Sequence, residues 1–112
     1  MHEGWILSEG TVVASAVADL RWHCGTSMAR SASRRGLCVM GAPRMIVLGP
    51  GAGSRVDLCL LDADGHVTRS RPLAGRGAAL VGGARSVVVA PAGVLEANGI
   101  GPGSLLEFRE AA

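Results

Sequence analysis

Four consecutive apolar residues, Leu58-Cys59-Leu60-Leu61, stand between Asp57 and Asp62, and a turn sequence, Asp62-Ala63-Asp64-Gly65, follows them directly. No other stretch constrains the fold as strongly. A short apolar run closed by turn residues is the pattern of a buried strand. The Asp-Gly pair supplies a residue that takes positive φ without a Cβ clash. An alternating run, His66-Val67-Thr68-Arg69-Ser70, comes next. Residues 56–70 are therefore predicted to form a central hairpin with the rest of the fold packed against it.

The flanking sequence adds strands more readily than helices. Trp5-Ile6-Leu7, the turn triplet Ser8-Glu9-Gly10 and the Val-rich run Thr11 to Val17 predict a first hairpin over residues 4–17. Asp19 is suited to cap a following helix, and Leu20, Cys24 and Met28 recur at a spacing of four. Gly36 to Met40 and Met45 to Leu48 are candidate buried strands, separated from the central hairpin by a glycine-rich loop, Gly49 to Ser54. Pro72 to Gly83 has no clear period and is expected to be a connector. Ser86 to Ala90 is a strongly β-branched strand, and Pro91 suits the first position of a short helix bearing Val94 and Leu95. Asn98-Gly99 provides a left-handed end for that helix, and Gly101-Pro102-Gly103 turns the chain into a last strand, Ser104 to Phe108. The strands do not alternate with long helices, which argues against a doubly wound sheet. The expected fold is α+β: a small mixed or antiparallel, barrel-like sheet of about seven strands with one or two short helices.

Composition narrows the function classes. At 112 residues the chain forms one domain, large enough to bury a core without metals or disulfides. Trp5, Trp22 and Phe108 are its only aromatic residues, so Val, Leu, Ile and Ala must build that core. All eleven basic residues are arginine, scattered along the chain, and the net charge of +2 is too small to argue for nucleic acid. Cys24, Cys38 and Cys59 are odd in number and include no Cys-x-x-Cys pair, which reads as free thiols in a reducing compartment. The N-terminal residues lack a signal-peptide pattern and no run is long enough to span a membrane, so a soluble cytoplasmic domain is expected.

Catalytic and metal chemistry find little support. Gly49 to Gly53 contains Gly-x-Gly-x-Gly but lacks the Lys-Ser/Thr of a P-loop and the dinucleotide spacing. Asp57, Asp62, Asp64 and His66 make an oxygen-rich group, yet the third acidic position and downstream Glu of a calcium loop are missing. Turn chemistry accounts for Asp62 and Asp64 without a metal. Cys38 and Cys59 lie inside apolar runs, where burial blunts a thiol paired with His23 or His66. Nothing resembles Gly-x-Ser-x-Gly, and Glu107 and Glu110 fall in the solvated C-terminal stretch. The sequence thus predicts no catalytic residue, no metal and no cofactor.

The segment Leu61-Asp62-Ala63-Asp64-Gly65-His66-Val67, preceded by Val56-Asp57, resembles the Ile-Asp-Val-x-Phe-Leu-Asp-x-Asp-Gly-x-Val strand and turn of the family called "domain of unknown function 192". Gly83 to Gly93 is similar to its strand-to-helix passage. Asn98 to Leu105 is similar to its closing Gly-Ile-x-x-Gly-Asp segment, with Ser104 in place of Asp. Val17-Ala18-Asp19 and Gly36 to Met40 fall where the family has its first helix start and an apolar strand. The family's most distinctive motif, His-Thr-Phe-Gly-Met-x-Phe-Pro, is replaced by Leu48 to Arg55, with only Gly51 kept. No site is carried over there. The resemblance implies a divergent member with the family's fold and a lost or altered site.

Two functions from different classes follow, with an enzyme of unidentified chemistry a distant third. The first is a non-catalytic interaction or accessory module that meets a protein partner or small ligand, using Asp57, Asp62, Asp64, His66, Arg69 and Arg71. The second is nucleic-acid binding, because strand, Pro91, short helix, Gly99-Ile100, Pro102-Gly103 and strand also resemble the closing half of AbrB-type swapped-hairpin transcription factors. Arg69, Arg71, Arg76 and Arg85 give only a sparse analogue of their basic surface, so the accessory module is preferred. The sequence implies no membrane partner and leaves the oligomeric state open.

Overall fold

The computed structural model describes residues 2–19, 37–41, 45–47, 55–73, 78–80 and 83–111. Its elements in chain order are β1 (His2–Ser8), β2 (Thr11–Asp19), β3 (Leu37–Gly41), β4 (Met45–Val47), β5 (Val56–Leu61), β6 (Val67–Leu73), β7 (Ala78–Leu80), β8 (Ser86–Pro91), the helix α1 (Val94–Ala97) and β9 (Leu106–Glu110). The fold is mostly β and compact, with a Cα radius of gyration of 12.2 Å. Seven strands form one sheet in the order β6-β5-β8-β3-β2-β1-β9, while β4 and β7 pair as a separate antiparallel ribbon. All pairings in the large sheet are antiparallel except β2 with β3.

Both predicted hairpins are present. In the first, Ser8 pairs with Thr11 around Glu9 and Gly10, whose φ angles of 53° and 82° are both left-handed. That is the conformation of a two-residue type I′ turn, whose twist suits the flanking strands. In the central hairpin, β5 lies between β6 and β8 and is buried on both sides. Cys59 and Leu61 turn to the inner face with Val88 and Ala90 of β8. Val56, Leu58 and Leu60 share the outer face with Val87 and Val89, and all of these residues are buried. Burial on two faces explains why both strands read as unbroken apolar runs rather than as alternating ones. Ile6, Ala16, Leu37, Val39, Val67 and Leu106 complete the inner core, while Trp5 is 46% exposed. Aliphatic residues do build the core, as the composition requires.

The sheet curls on itself without closing. Its two edge strands, β6 and β9, lead into one isolated antiparallel bridge, His66 with Leu105, rather than into a ladder. Val13 of β2 is an extra residue opposite Ile6/Leu7, and Thr68 of β6 is one opposite Leu60/Leu61; such bulges increase local twist. The expected barrel-like sheet of about seven strands is therefore corrected to a partly closed seven-stranded sheet beside a two-stranded ribbon, nine strands and one helix in all among the described residues.

Other expectations change in detail. Pro72 belongs to β6, where it sits on the sheet edge that tolerates a residue without an N–H. Ala78 to Leu80 form β7, so residues 72–83 are not one connector. Asp19 ends β2, and the helix predicted after it lies outside the described residues, as does the loop 49–54. Pro91 closes β8 instead of opening the helix, which starts after Gly93 at φ 83°. The last strand begins at Leu106, two residues later than predicted, because Ser104 caps the preceding turn through its hydroxyl, which accepts the Gly101 N–H at 3.1 Å.

The end of α1 matches its sequence reading. Gly99 has φ 71°, its N–H donates to the Glu96 carbonyl at 3.0 Å, and the Ile100 N–H donates to the Leu95 carbonyl at 2.9 Å. This is a Schellman end, with buried Leu95 and Ile100 as its apolar contact. Both side chains join the inner core.

Candidate functional site

Among the described residues, the His66–Leu105 bridge joins the two edges of the sheet. Around it, the Val67 N–H donates to the Ser104 carbonyl, the Gly103 N–H to the Val67 carbonyl and the Leu106 N–H to the Gly65 carbonyl, each at 2.8 Å. The antiparallel register then sends β6 toward the 101–104 turn and α1, and β9 toward the Asp62–Gly65 turn. A polar cleft of about 250 Å3 opens on the β6 side, among Arg55, Asp57, Ser70, Arg71, Pro72 and the helix. A larger cavity of about 410 Å3 opens on the β9 side. Its floor is apolar: Ile6, Val39, Leu61, Val88 and Leu106. Its rim is polar and carries Asp62, Asp64, Arg85, Ser86 and Glu107.

The turn on that rim is held by its own carboxylate. Asp62 Oδ1 accepts the N–H of Asp64 and of His66, each at 2.9 Å, and the Gly65 N–H donates to the Asp62 carbonyl at 3.2 Å. The bond from the His66 N–H, more than any other contact, holds the Asp62 carboxyl below its usual range. Its second oxygen lies 3.9 Å from His66 Nδ1. Gly65 has φ 92°, and a Cβ there would stand 2.5 Å from the Leu106 carbonyl oxygen, so only glycine permits this approach of turn and strand.

The structure brings Asp62, Asp64 and His66 together, with one ligand atom of each within 4.8 Å of the others. The bond from the Asp64 N–H to Asp62 Oδ1 is that of an Asx turn, and the His66 N–H adds a second, so turn chemistry accounts for the place of Asp62. Asp57 stands apart, in the cleft. Its Oδ2 accepts the Gly93 N–H at 2.8 Å, and Arg55 Nε lies 3.5 Å from its other oxygen. Arg71 lines the same cleft, and Arg69 lines neither opening. Five of the six sequence-selected residues thus fall in two places, Asp57 and Arg71 at the cleft and Asp62, Asp64 and His66 at the turn, while Arg69 belongs to neither. Sequence reasoning did not select Arg85 and Ser86 for the rim. Arg85 reaches it because its N–H donates to the Leu61 carbonyl at 2.9 Å, a pairing between distant segments that no local motif announces.

One solved structure resembles the whole fold: the crystal structure of a "putative transcription regulator" from Sinorhizobium meliloti 1021. It is similar over 96% of this chain and 92% of that chain, with a TM-score of 0.56 and 14% sequence identity. The likeness is one of fold. No family model matches the chain, and none of the curated proteins matches it significantly. Among the described residues, no helix is long and apolar enough to cross a membrane.

Proposed function

We propose that this chain is a non-catalytic binding module, a divergent member of the "domain of unknown function 192" family, whose ligand enters the partly closed sheet beside the Asp62–Gly65 turn. One observation carries this reading: a cavity of about 410 Å3 with an apolar floor and a few convergent polar groups at its rim. That combination is the usual form of a small-molecule site, in which the floor supplies affinity and the rim supplies orientation. The segment that resembles the family's strand and turn, Leu61 to Gly65, lies on that cavity. Cys59 sits in the core with its thiol pushed up to about 11 by burial and by the Asp57 charge, which argues against Cys59 as a nucleophile.

The test is a screen of small apolar probes by ligand-observed NMR on the wild-type chain and on Ser86→Phe, which places a bulky ring at the cavity mouth. Saturable binding lost in Ser86→Phe, with the circular dichroism spectrum unchanged, supports the module. Binding that survives the substitution, or no saturable binding at all, overturns it.

A second reading, nucleic-acid binding, is favoured by the exposed Arg55 and Arg69 beside half-buried Arg71, and by the words attached to the fold relative. Fluorescence anisotropy with a labelled duplex tests it. Phosphate contacts require affinity to fall steeply as salt rises.

A further inference from the structure

Two opposite charges on the rim of the larger cavity are left without each other. Arg85 and Asp64 both line it, and neither side chain has an ion-pair partner among the described residues. Neighbouring charges are engaged: Asp62 Oδ1 holds two backbone N–H groups, and Glu107 lies 3.3 Å from Arg109. Asp62 keeps its second oxygen uncommitted apart from the 3.9 Å approach of His66. The lining of this cavity therefore combines the guanidinium of Arg85, the carboxylates of Asp62 and Asp64, and the apolar residues Leu61, Val88 and Ile6.

A molecule that satisfies all three features carries both charges on one small head and an apolar tail. A ligand with an ammonium alone would leave Arg85 unanswered, and one with a carboxylate alone would face two aspartates. We propose that this cavity binds a free apolar α-amino acid. Its carboxylate meets the Arg85 guanidinium, whose planar fork suits two parallel bonds to a carboxylate. Its ammonium meets Asp64 and the second oxygen of Asp62. Its side chain enters the apolar floor, where burial of a branched aliphatic group supplies most of the affinity. The assignment rests on the reading of this cavity as a ligand site.

The experiment is isothermal titration calorimetry of the full chain with L-leucine, isoamylamine and 4-methylpentanoate, repeated on Arg85→Ala and Asp64→Asn. Leucine is expected to bind saturably, with the amine and the acid each about tenfold weaker, the loss of one charge-assisted contact. Arg85→Ala should weaken leucine and the acid but leave the amine unchanged, and Asp64→Asn should weaken leucine and the amine but leave the acid unchanged. Both residues are exposed, so the variants are expected to keep the wild-type circular dichroism spectrum. Leucine binding no tighter than the amine or the acid overturns the proposal, as does leucine binding that neither variant alters. If apolar probes bind in a Ser86-sensitive way while leucine does not, the proposal fails and the module stands. If nothing binds, both fail.

Discussion

Asp57 and Gly93, 36 residues apart in sequence, are joined by a 2.8 Å hydrogen bond in which the Gly93 N–H donates to Asp57 Oδ2. The bond ties the start of β5 to the left-handed residue that launches α1, the helix whose Leu95 joins the core. Asp57→Ala is expected to destabilise the fold by ~2 kcal/mol, the range for a hydrogen bond to a charged acceptor. Asp57→Asn keeps an acceptor oxygen and should lose less. Arg55→Ala removes only the half-exposed ion pair and should change stability by less than ~1 kcal/mol. Urea denaturation of the three variants checks the order, and equal losses for Asp57→Ala and Arg55→Ala would make the ion pair, not the Gly93 bond, the important contact.

Gly65 and Gly10 share a left-handed backbone, with φ of 92° and 82°, but not a neighbourhood. A Cβ on Gly10 meets nothing within 4 Å, so Gly10→Ala should cost only the conformational penalty of ~1–2 kcal/mol. A Cβ on Gly65 meets the Leu106 carbonyl oxygen at 2.5 Å, and backbone cannot move aside cheaply. Gly65→Ala should therefore exceed Gly10→Ala by a further ~1–3 kcal/mol of overpacking. Loss of protection at the Leu106 amide, which donates to the Gly65 carbonyl, should accompany it in hydrogen exchange.

Ile100 closes the Schellman end of α1 and is buried against the inner core. Ile100→Ala should cost ~2–4 kcal/mol through the lost apolar volume. Gly99→Ala leaves that packing in place, meets no atom within 4 Å and should cost only ~1 kcal/mol through its left-handed φ of 71°. Thermal denaturation of the pair separates the packing of the cap from its backbone geometry.

What could be read from the sequence follows from how local each signal is. The two hairpins, the buried strands and the glycine-ended helix each carry their signal within a dozen residues, as in Leu58 to Gly65, and they appear where expected. The strand at Ala78–Leu80 has no such signal, because a three-residue edge piece is too short to show a period. The cap expected of Pro91 was lost to tertiary pairing: Pro91 stands opposite Val56 and extends β8. The candidate site was half legible. Asp62 and Asp64 announce a turn, but their meeting with Arg85 at one rim depends on β5–β8 register, which no local pattern encodes.

Cys59 supplies a pH-dependent test of the core. Burial, and then the charge of Asp57, push its thiol from 9.0 up to about 11. A proton is thus held more tightly in the folded chain than in the unfolded one. The associated stability is fully present below pH 9 and is lost as pH rises toward and through 11. The rise from 9.0 to about 11 sets the loss at up to ~2–3 kcal/mol. The window is unusually clean, since the chain has neither lysine nor tyrosine to titrate there. In a Cys24→Ser, Cys38→Ser background, urea-derived stability should be flat between pH 8 and 9 and should fall between 9 and 11. Cys59→Ala in the same background should be less stable throughout but should lose that fall. A slope that persists without the Cys59 thiol would assign the alkaline transition to another group and leave the burial of Cys59 without a proton-linked consequence.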